Sequence, residues 1–345
     1  MNRSILYCLL FFSSNILFGQ DLVTNKGLYF GLKTGYTIPV AKTTIGSPRN
    51  EVGDRLIFSS AEGNYTESIQ NPFGSRGAGA TVAANIGYMF NANFGVEMEF
   101  SFLRSTKILD ASRDETIIDN TISKRYFAEQ YSYTNMFRVS PLLVVSGDPN
   151  KKFTPYAKFG ILLPLAGKTI VEVSIADETG ELAEELMPVL NTELYEAIQS
   201  SGLNIPIPTS SEIKAKTSGA FSLGFAARIG GVFNLNKQWG IFAEMEMNML
   251  SILAKETEFT EFNTKVPQSL AAVAEGLLGI ENIQYEYGFN DLPEILRLTQ
   301  YQAEITEASN SSYIPSRKNE PYEQLAFRDN YNSFGIMLGV RYRFK

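Results

Sequence analysis

The sequence predicts an all-β chain, an eight-stranded antiparallel up-and-down transmembrane β-barrel with long, partly helical extracellular loops. Three observations predict this fold. Eight stretches of the 345-residue chain alternate between bulky apolar residues and small or charged ones. Short and long connections alternate strictly between these stretches. Aromatic residues gather beside the short connections.

The last stretch, Asn332 to Lys345, shows the alternation most clearly. Alternate positions from Phe334 to Phe344 are bulky and apolar, whereas the positions between them carry glycine, methionine, Arg341 and Arg343. Because alternate side chains of a strand point to opposite faces, one face is apolar and the other small or cationic. In a soluble sheet the apolar face would be the core. In an outer-membrane barrel it faces lipid, and the other face lines the lumen.

The other seven stretches repeat this pattern, and each is long enough to cross a membrane as a tilted strand, which needs roughly 9–11 residues. The eight predicted strands, in chain order, are Leu28 to Val40, Gly77 to Phe90, Phe94 to Leu103, Tyr131 to Val145, one that begins at Phe153, Phe221 to Leu235, Trp239 to Ser251, and Asn332 to Lys345. Their predicted lipid-facing residues include Phe30, Ala78, Val82, Phe100, Val139, Phe159, Ile229, Met245 and Ile336.

The connections sort by length. Residues 91–93, 146–152 and 236–238 form compact turns rich in turn-forming residues. The other connections are long, at about residues 41–76, 105–130, 173–220 and 252–331. If the N-terminus starts in the periplasm, every short turn is periplasmic and every long loop is extracellular, as expected for an outer-membrane barrel. A hairpin hidden near Tyr313 and Ile314 would raise the strand number to ten.

Aromatic residues lie close to the short turns and to the C-terminus. They include Phe90, Phe94, Phe153, Trp239 and Tyr342. Tyrosine and tryptophan rings favour the interface between membrane and water, so this group is interpreted as a belt at the periplasmic interface. Aromatic residues are also common in any strand.

Residues 1–19 are predicted to be a secretory signal peptide, with Arg3 before the apolar run Ile5 to Phe12 and cleavage after Gly19. The barrel then occupies residues 20–345. This part has no cysteine, and the whole chain has no histidine. Zinc sites of the usual kind, thiol nucleophiles and histidine bases are therefore excluded, and we expect no metal and no cofactor. The expected location is the outer membrane of a Gram-negative bacterium.

The long loops carry helical patterns and negative charge. Glu181 to Ser200 is predicted to form two short helices broken at Pro188, Gln268 to Leu278 a further helix, and Asp291 to about Ala308 another. Residues 173–220 contain 8 acids and 2 bases, and residues 252–331 contain 13 acids and 6 bases. This charge argues against nucleic acid as a partner. The expected partners are outer-membrane lipid and lipopolysaccharide, the barrel-assembly machinery during biogenesis, and a protein that is either extracellular or part of a secretion machinery.

Inward positions collect charges of both signs. The predicted lumen charge network comprises Lys33, Glu97, Glu99, Arg138, Lys158, Arg228, Glu244, Glu246, Arg341 and Arg343. An eight-stranded barrel is just wide enough to be filled by its own side chains, and buried charges need partners, so the network is interpreted as a plug. The alternative is a gate or narrow ion path. Catalysis by the paired glutamates is not expected, because nearby arginines hold them ionised and no nucleophile motif accompanies them.

Three segments carry a family resemblance: Gly27 to Tyr36, Phe153 to Gly160 and Gly339 to Phe344. They resemble the outer-membrane β-barrel families widespread in Bacteroidetes, the group that includes the PorT-like proteins. The resemblance implies the barrel fold but no particular activity. It departs from the usual barrel-assembly signal in one respect, since the terminal aromatic Phe344 is followed by Lys345. The predicted function is a non-enzymatic structural or surface role. The alternatives are a narrow channel for small solutes or lipids, and an accessory part of a secretion machinery.

Overall fold

The structure is a computed structural model in which most of the chain forms antiparallel β-strands. It describes residues 26–40, 55–61, 64–70, 75–119, 122–201, 207–268, 276, 284–311, 317 and 319–344. The predicted signal peptide, most of the predicted helix Gln268 to Leu278, and Tyr313 and Ile314 lie outside these residues. No helix in the described part of the chain is both long and apolar enough to cross a membrane.

Seventeen strands follow one another along the chain. They are β1 (Gly27–Pro39), β2 (Arg55–Ala61), β3 (Asn64–Gln70), β4 (Gly79–Met89), β5 (Phe94–Ser105), β6 (Ile108–Asp119), β7 (Ile122–Ser146), β8 (Phe153–Asp177), β9 (Thr209–Gly219), β10 (Gly224–Asn234), β11 (Trp239–Met249), β12 (Ser251–Lys265), β13 (Glu286–Gly288), β14 (Leu298–Gln302), β15 (Tyr322–Leu325), β16 (Arg328–Asn330) and β17 (Ser333–Arg343).

Eight of these strands pair in a closed ring. β1 pairs with β4, and the order continues through β5, β7, β8, β10 and β11 to β17, which pairs back onto β1; every pairing is antiparallel. Each of the eight alternating stretches of the sequence overlaps one of these ring strands, and β7 begins nine residues before the predicted stretch Tyr131 to Val145. The short turns lie at one end of the ring and the long connections at the other.

The two faces of the ring strands differ in exposure. Large apolar side chains such as Phe30, Val82 and Ile336 are exposed on the outside, whereas the small and charged side chains that alternate with them are buried inside. Two predicted lipid-facing residues are exceptions. Ala78 is buried because it precedes β4, where the backbone still follows the connection. Val139 is also buried. It lies within β7, next to the register shift between Phe137 and Arg138.

The long connections contain much more β-structure than predicted. β7 and β8 each run for 25 residues, so that they extend well past the ring and continue the sheet with β6, β9 and β12. The predicted loops 105–130, 173–220 and 252–331 are therefore partly strand. The β-branched residues of 169–175, which include Ile170, Val171 and Ile175, favour this outcome, and strand pairing satisfies the backbone polar groups of the connection.

Two helices follow β8, and their boundary differs from the prediction. They are α1 (Glu181–Leu190) and α2 (Thr192–Ser200), with Pro188 inside α1. The break falls at Asn191, because its side-chain oxygen accepts a hydrogen bond from the Leu194 amide at 3.0 Å and so caps α2. The predicted helix from Asp291 to Ala308 is wrong beyond Arg297.

The segment around Asp291 forms only single turns. Phe289–Asp291 is a 3-10 turn and Glu294–Arg297 is the short helix α3, after which the chain enters β14. β14 pairs with β12 and β15. The local sequence pattern favours a helix here, but the segment pairs with the free edge of the extended sheet instead. This pairing satisfies the backbone N–H and C=O groups of a whole strand.

Candidate functional site

Seven charged side chains inside the ring come from five strands. Glu97 and Glu99 are two residues apart on β5, and Glu244 and Glu246 are two apart on β11, so each pair shares the inward face. Lys33 on β1, Lys158 on β8 and Arg228 on β10 project inward from three other strands of the ring. These seven side chains, called the charge network below, are each at most 5% exposed.

Lys33 contacts three of the four carboxylates. Its Nζ lies 2.6 Å from Glu99, 2.6 Å from Glu244 and 3.4 Å from Glu246. Lys33 therefore joins the acids of β5 to those of β11 across the interior. An ammonium group has three donors and no acceptor, so one oxygen from each of the three acids matches the three donors of Lys33.

Arg228 and Lys158 complete the connections. Arg228 lies 3.2 Å from Glu99 and 3.3 Å from Glu246. Lys158 lies 2.9 Å from Glu97 and 2.9 Å from Glu244. Every carboxylate thus has a cation within hydrogen-bond distance, as buried charges require.

Two tyrosines belong to the same arrangement and were not included by the sequence reasoning. The Tyr29 hydroxyl donates to Glu97 at 2.7 Å, and the Tyr156 hydroxyl donates to Glu244 at 3.0 Å. Both occupy inward positions on the strands that carry Lys33 and Lys158. Extending the alternation from the charged residues to inward hydroxyl groups would have found them.

Three of the ten predicted residues do not join the charge network. Arg138 pairs in register with Ser101 and donates from Nε to its hydroxyl at 3.2 Å. Arg341 pairs with Gly31 and Gly240, nearer the short turns, and stacks over Tyr29. Arg343 lies one step farther in that direction. In the described residues, no carboxylate lies within ion-pair distance of these three guanidinium groups. The alternation predicted that these three residues face inward, but it could not predict which carboxylates lie within their reach.

An apolar layer covers the charge network on the side of the long connections. Leu103 lies beyond Glu99 on β5, and Leu250 directly follows the end of β11, beyond Glu246. They belong to one buried cluster with Met136, Leu142, Leu162, Ala226, Ile252 and Tyr331. Polar contacts follow beyond this layer, where Arg76 contacts Asp329 at 3.1 Å and Asp110 at 3.3 Å. Burial raises the pKa of Asp329, and the neighbouring Arg76 guanidinium opposes that rise.

The opposite side of the charge network faces a cavity. This cavity has a volume of about 770 Å³ and is lined by Tyr29, Tyr156, Lys158 and Arg341, among others. It reaches the short turns, where Asn150 and Lys237 lie at its rim. The interior is therefore open at the end of the short turns. From the charge network towards the long connections, it is filled with side chains. Within the described ranges, no group of three or more acidic, cysteine or histidine side chains is arranged to hold a metal ion.

Comparison with known proteins gives only weak likenesses. No protein-family model matches the sequence, and the search of curated proteins gives no match. The outer membrane protein OprG from Pseudomonas aeruginosa is 12% identical, with a TM-score of 0.31 over 94% of this chain and 99% of that one. The E. coli outer membrane protein W is 14% identical, with a TM-score of 0.24 over 92% and 98%. These identities and TM-scores are too low to support an inference about this chain. The resemblance to PorT-like families therefore stays a prediction.

Proposed function

We propose that the ring is an eight-stranded transmembrane β-barrel in the outer membrane of a Gram-negative bacterium, closed by its charge network, and that the chain is a non-enzymatic structural or surface-interaction protein. The observation that carries this proposal is the set of ion pairs that Lys33, Lys158 and Arg228 make with four buried glutamates. These ion pairs cross the interior of the ring, since they join β5 to β1, β8 and β10, and β11 to β1 and β8.

The outside of the ring supports the membrane placement. Exposed apolar side chains cover the ring strands, and a surface of this kind marks contact with lipid or another protein. Rings also stack near the short turns, with Trp239 and Tyr342 centroids 4.9 Å apart and Tyr342 and Phe344 centroids 5.1 Å apart. Such amphipathic rings suit the membrane interface.

The energetics support a plug rather than a gate. Removing one partner of a buried ion pair typically costs about 3–5 kcal/mol, because the other charge stays buried alone. An opening motion that separated Lys33 from Glu99 and Glu244 would face a similar penalty. The apolar layer around Leu103 and Leu250 would also have to part. The acidic connections outside then carry the interaction with an extracellular partner.

The test is conductance of the refolded protein in a planar bilayer. We expect wild type to carry no steady current, and Arg228→Ala and Glu244→Ala to leak, because each removes a side chain that fills the interior. Lys255→Ala is the matched control, since Lys255 is exposed on β12 outside the ring. A steady, charge-selective current through wild type would refute the closed lumen.

A narrow channel for small solutes or lipids is the second candidate. The cavity at the short turns favours it, because the path from that end is already open as far as Lys158. In that case Arg228→Ala would change the ion selectivity of a current that wild type already carries. An accessory role in a secretion machinery predicts envelope partners that purify with the chain from cross-linked cells.

A further inference from the structure

The cavity at the short turns has an unusual charge. Its lining includes Lys26, Lys151, Lys152, Lys237, Arg341 and Arg343, and Lys158 forms part of its inner end. Among the described residues that line it, Glu97 is the only one with a carboxylate, and it already accepts from Lys158 at 2.9 Å and from Tyr29 at 2.7 Å. Within the described part of the chain, the cations of the rim and wall therefore have no other acid in the lining to neutralise them.

Arg341 points to a ligand for this charge. Its guanidinium lies 5.4 Å from the Tyr29 ring centre, and its Nη2 is buried without a hydrogen-bond partner among the described protein atoms. A buried guanidinium nitrogen that makes no hydrogen bond is costly. The planar fork of arginine suits a two-point contact with a phosphate or carboxylate group, which would satisfy this nitrogen.

The size and shape of the cavity limit the ligand. A volume of about 770 Å³ lies within the range of roughly 300–1,000 Å³ found for small-molecule sites. Tyr29, Tyr156 and Phe242 add aromatic surface beside the cations. A single inorganic ion would contact only a fraction of these groups, whereas a solute with several anionic groups can reach both Arg341 and the lysines of the rim.

We infer that this cavity is a binding site for a small polyvalent oxyanion, a molecule that carries two or more phosphate or carboxylate groups. Arg341 is its innermost anchor, and Lys151 and Lys237 hold its outer charges. The site is closed at its inner end by the ion pairs of Lys158. This inference goes beyond the proposed function and does not require the ring to conduct.

The experiment is calorimetric titration of the full chain, folded in a nonionic detergent at low salt, with inorganic pyrophosphate. We expect saturable binding to wild type. Arg341→Gln should weaken it at least about tenfold, equivalent to about 1.4 kcal/mol. Arg341→Lys keeps the positive charge and should recover part of the affinity. Lys255→Gln removes a distant cation from β12 and should leave the affinity unchanged.

A second variant keeps the test decisive if Arg341→Gln fails to fold. Lys151→Gln with Lys237→Gln changes only exposed side chains of the turns and should weaken binding while reducing its dependence on salt. The inference is overturned if wild type shows no saturable binding, or if these variants and Lys255→Gln weaken binding equally. Competition with short-chain cardiolipin, a lipid that carries two phosphate groups, distinguishes the source: displacement of pyrophosphate assigns the site to a lipid headgroup, and its absence to a soluble anion.

Discussion

Replacing Lys33 by methionine tests how the charge network holds the ring. The change removes the ammonium group that lies 2.6 Å from both Glu99 and Glu244, and methionine keeps most of the side-chain volume. Each of these acids retains another cation, since Arg228 lies 3.2 Å from Glu99 and Lys158 lies 2.9 Å from Glu244. We therefore expect a loss of about 3 kcal/mol in the free energy of unfolding, the lower end of the roughly 3–5 kcal/mol found for broken buried pairs.

Lys158→Met provides the matched comparison. Lys158 is the only cation within ion-pair distance of Glu97 among the described residues, so its loss leaves Glu97 with the Tyr29 hydroxyl alone. The expected loss is about 5 kcal/mol, larger than for Lys33→Met. The double variant Lys158→Met/Glu97→Gln should recover part of this loss, because the charge left unpaired has also been removed.

The assay is urea unfolding in lipid vesicles, followed through the fluorescence of Trp239, the single tryptophan of the chain. Trp239 stacks on Tyr342 at the start of β11, so its emission reports on the ring itself. Lys255→Met controls for the loss of a lysine at an exposed position. The reasoning is refuted if Lys33→Met costs less than about 1 kcal/mol, the scale of an exposed pair, or if Lys158→Met proves milder than Lys33→Met.

Three further changes test other parts of the structure. Gly87→Val places a Cβ against the Tyr29 ring and should cost about 1–3 kcal/mol by overpacking, measured by the same unfolding assay; Gly276→Val, whose Cβ meets nothing, is the control. Asn191→Ala removes the cap of α2 and should cost the connection about 0.5–2 kcal/mol, seen as faster proteolysis there while the ring stays intact. Tyr287→Phe removes the hydrogen bonds of the Tyr287 hydroxyl with Gln284 and Asn191, at about 0.5–1.5 kcal/mol each, and should also speed proteolysis. Burial raises the pKa of Tyr287 above its ordinary 10.0, so wild type loses stability as the pH rises through 10, where the unfolded tyrosine ionises first; its advantage over Tyr287→Phe should shrink there. An advantage that grows above pH 10 would contradict this sign.

The sequence alone located the ring strands and their faces. Alternation is a local property with a period of two residues, so residues such as Phe334, Ile336 and Gly335 report their own orientation without knowledge of any partner strand. The same pattern placed Lys33, Glu99 and Glu244 on inward faces. The residue types of segment 91–93 likewise predict a turn without reference to the rest of the chain.

The tertiary structure alone decided which inward charges meet and what the connections form. The folded ring brings Lys33 within 2.6 Å of Glu99 and Glu244, and in the described residues it leaves Arg138 and Arg341 without a carboxylate at ion-pair distance. No residue type encodes the stagger between strands that are distant in sequence. Pairing with β12 makes residues 298–302 a strand where the local pattern favoured a helix. The cationic cavity that Arg341 shares with the short turns forms because the closed ring brings Lys26 and Phe344 to the same opening as those turns.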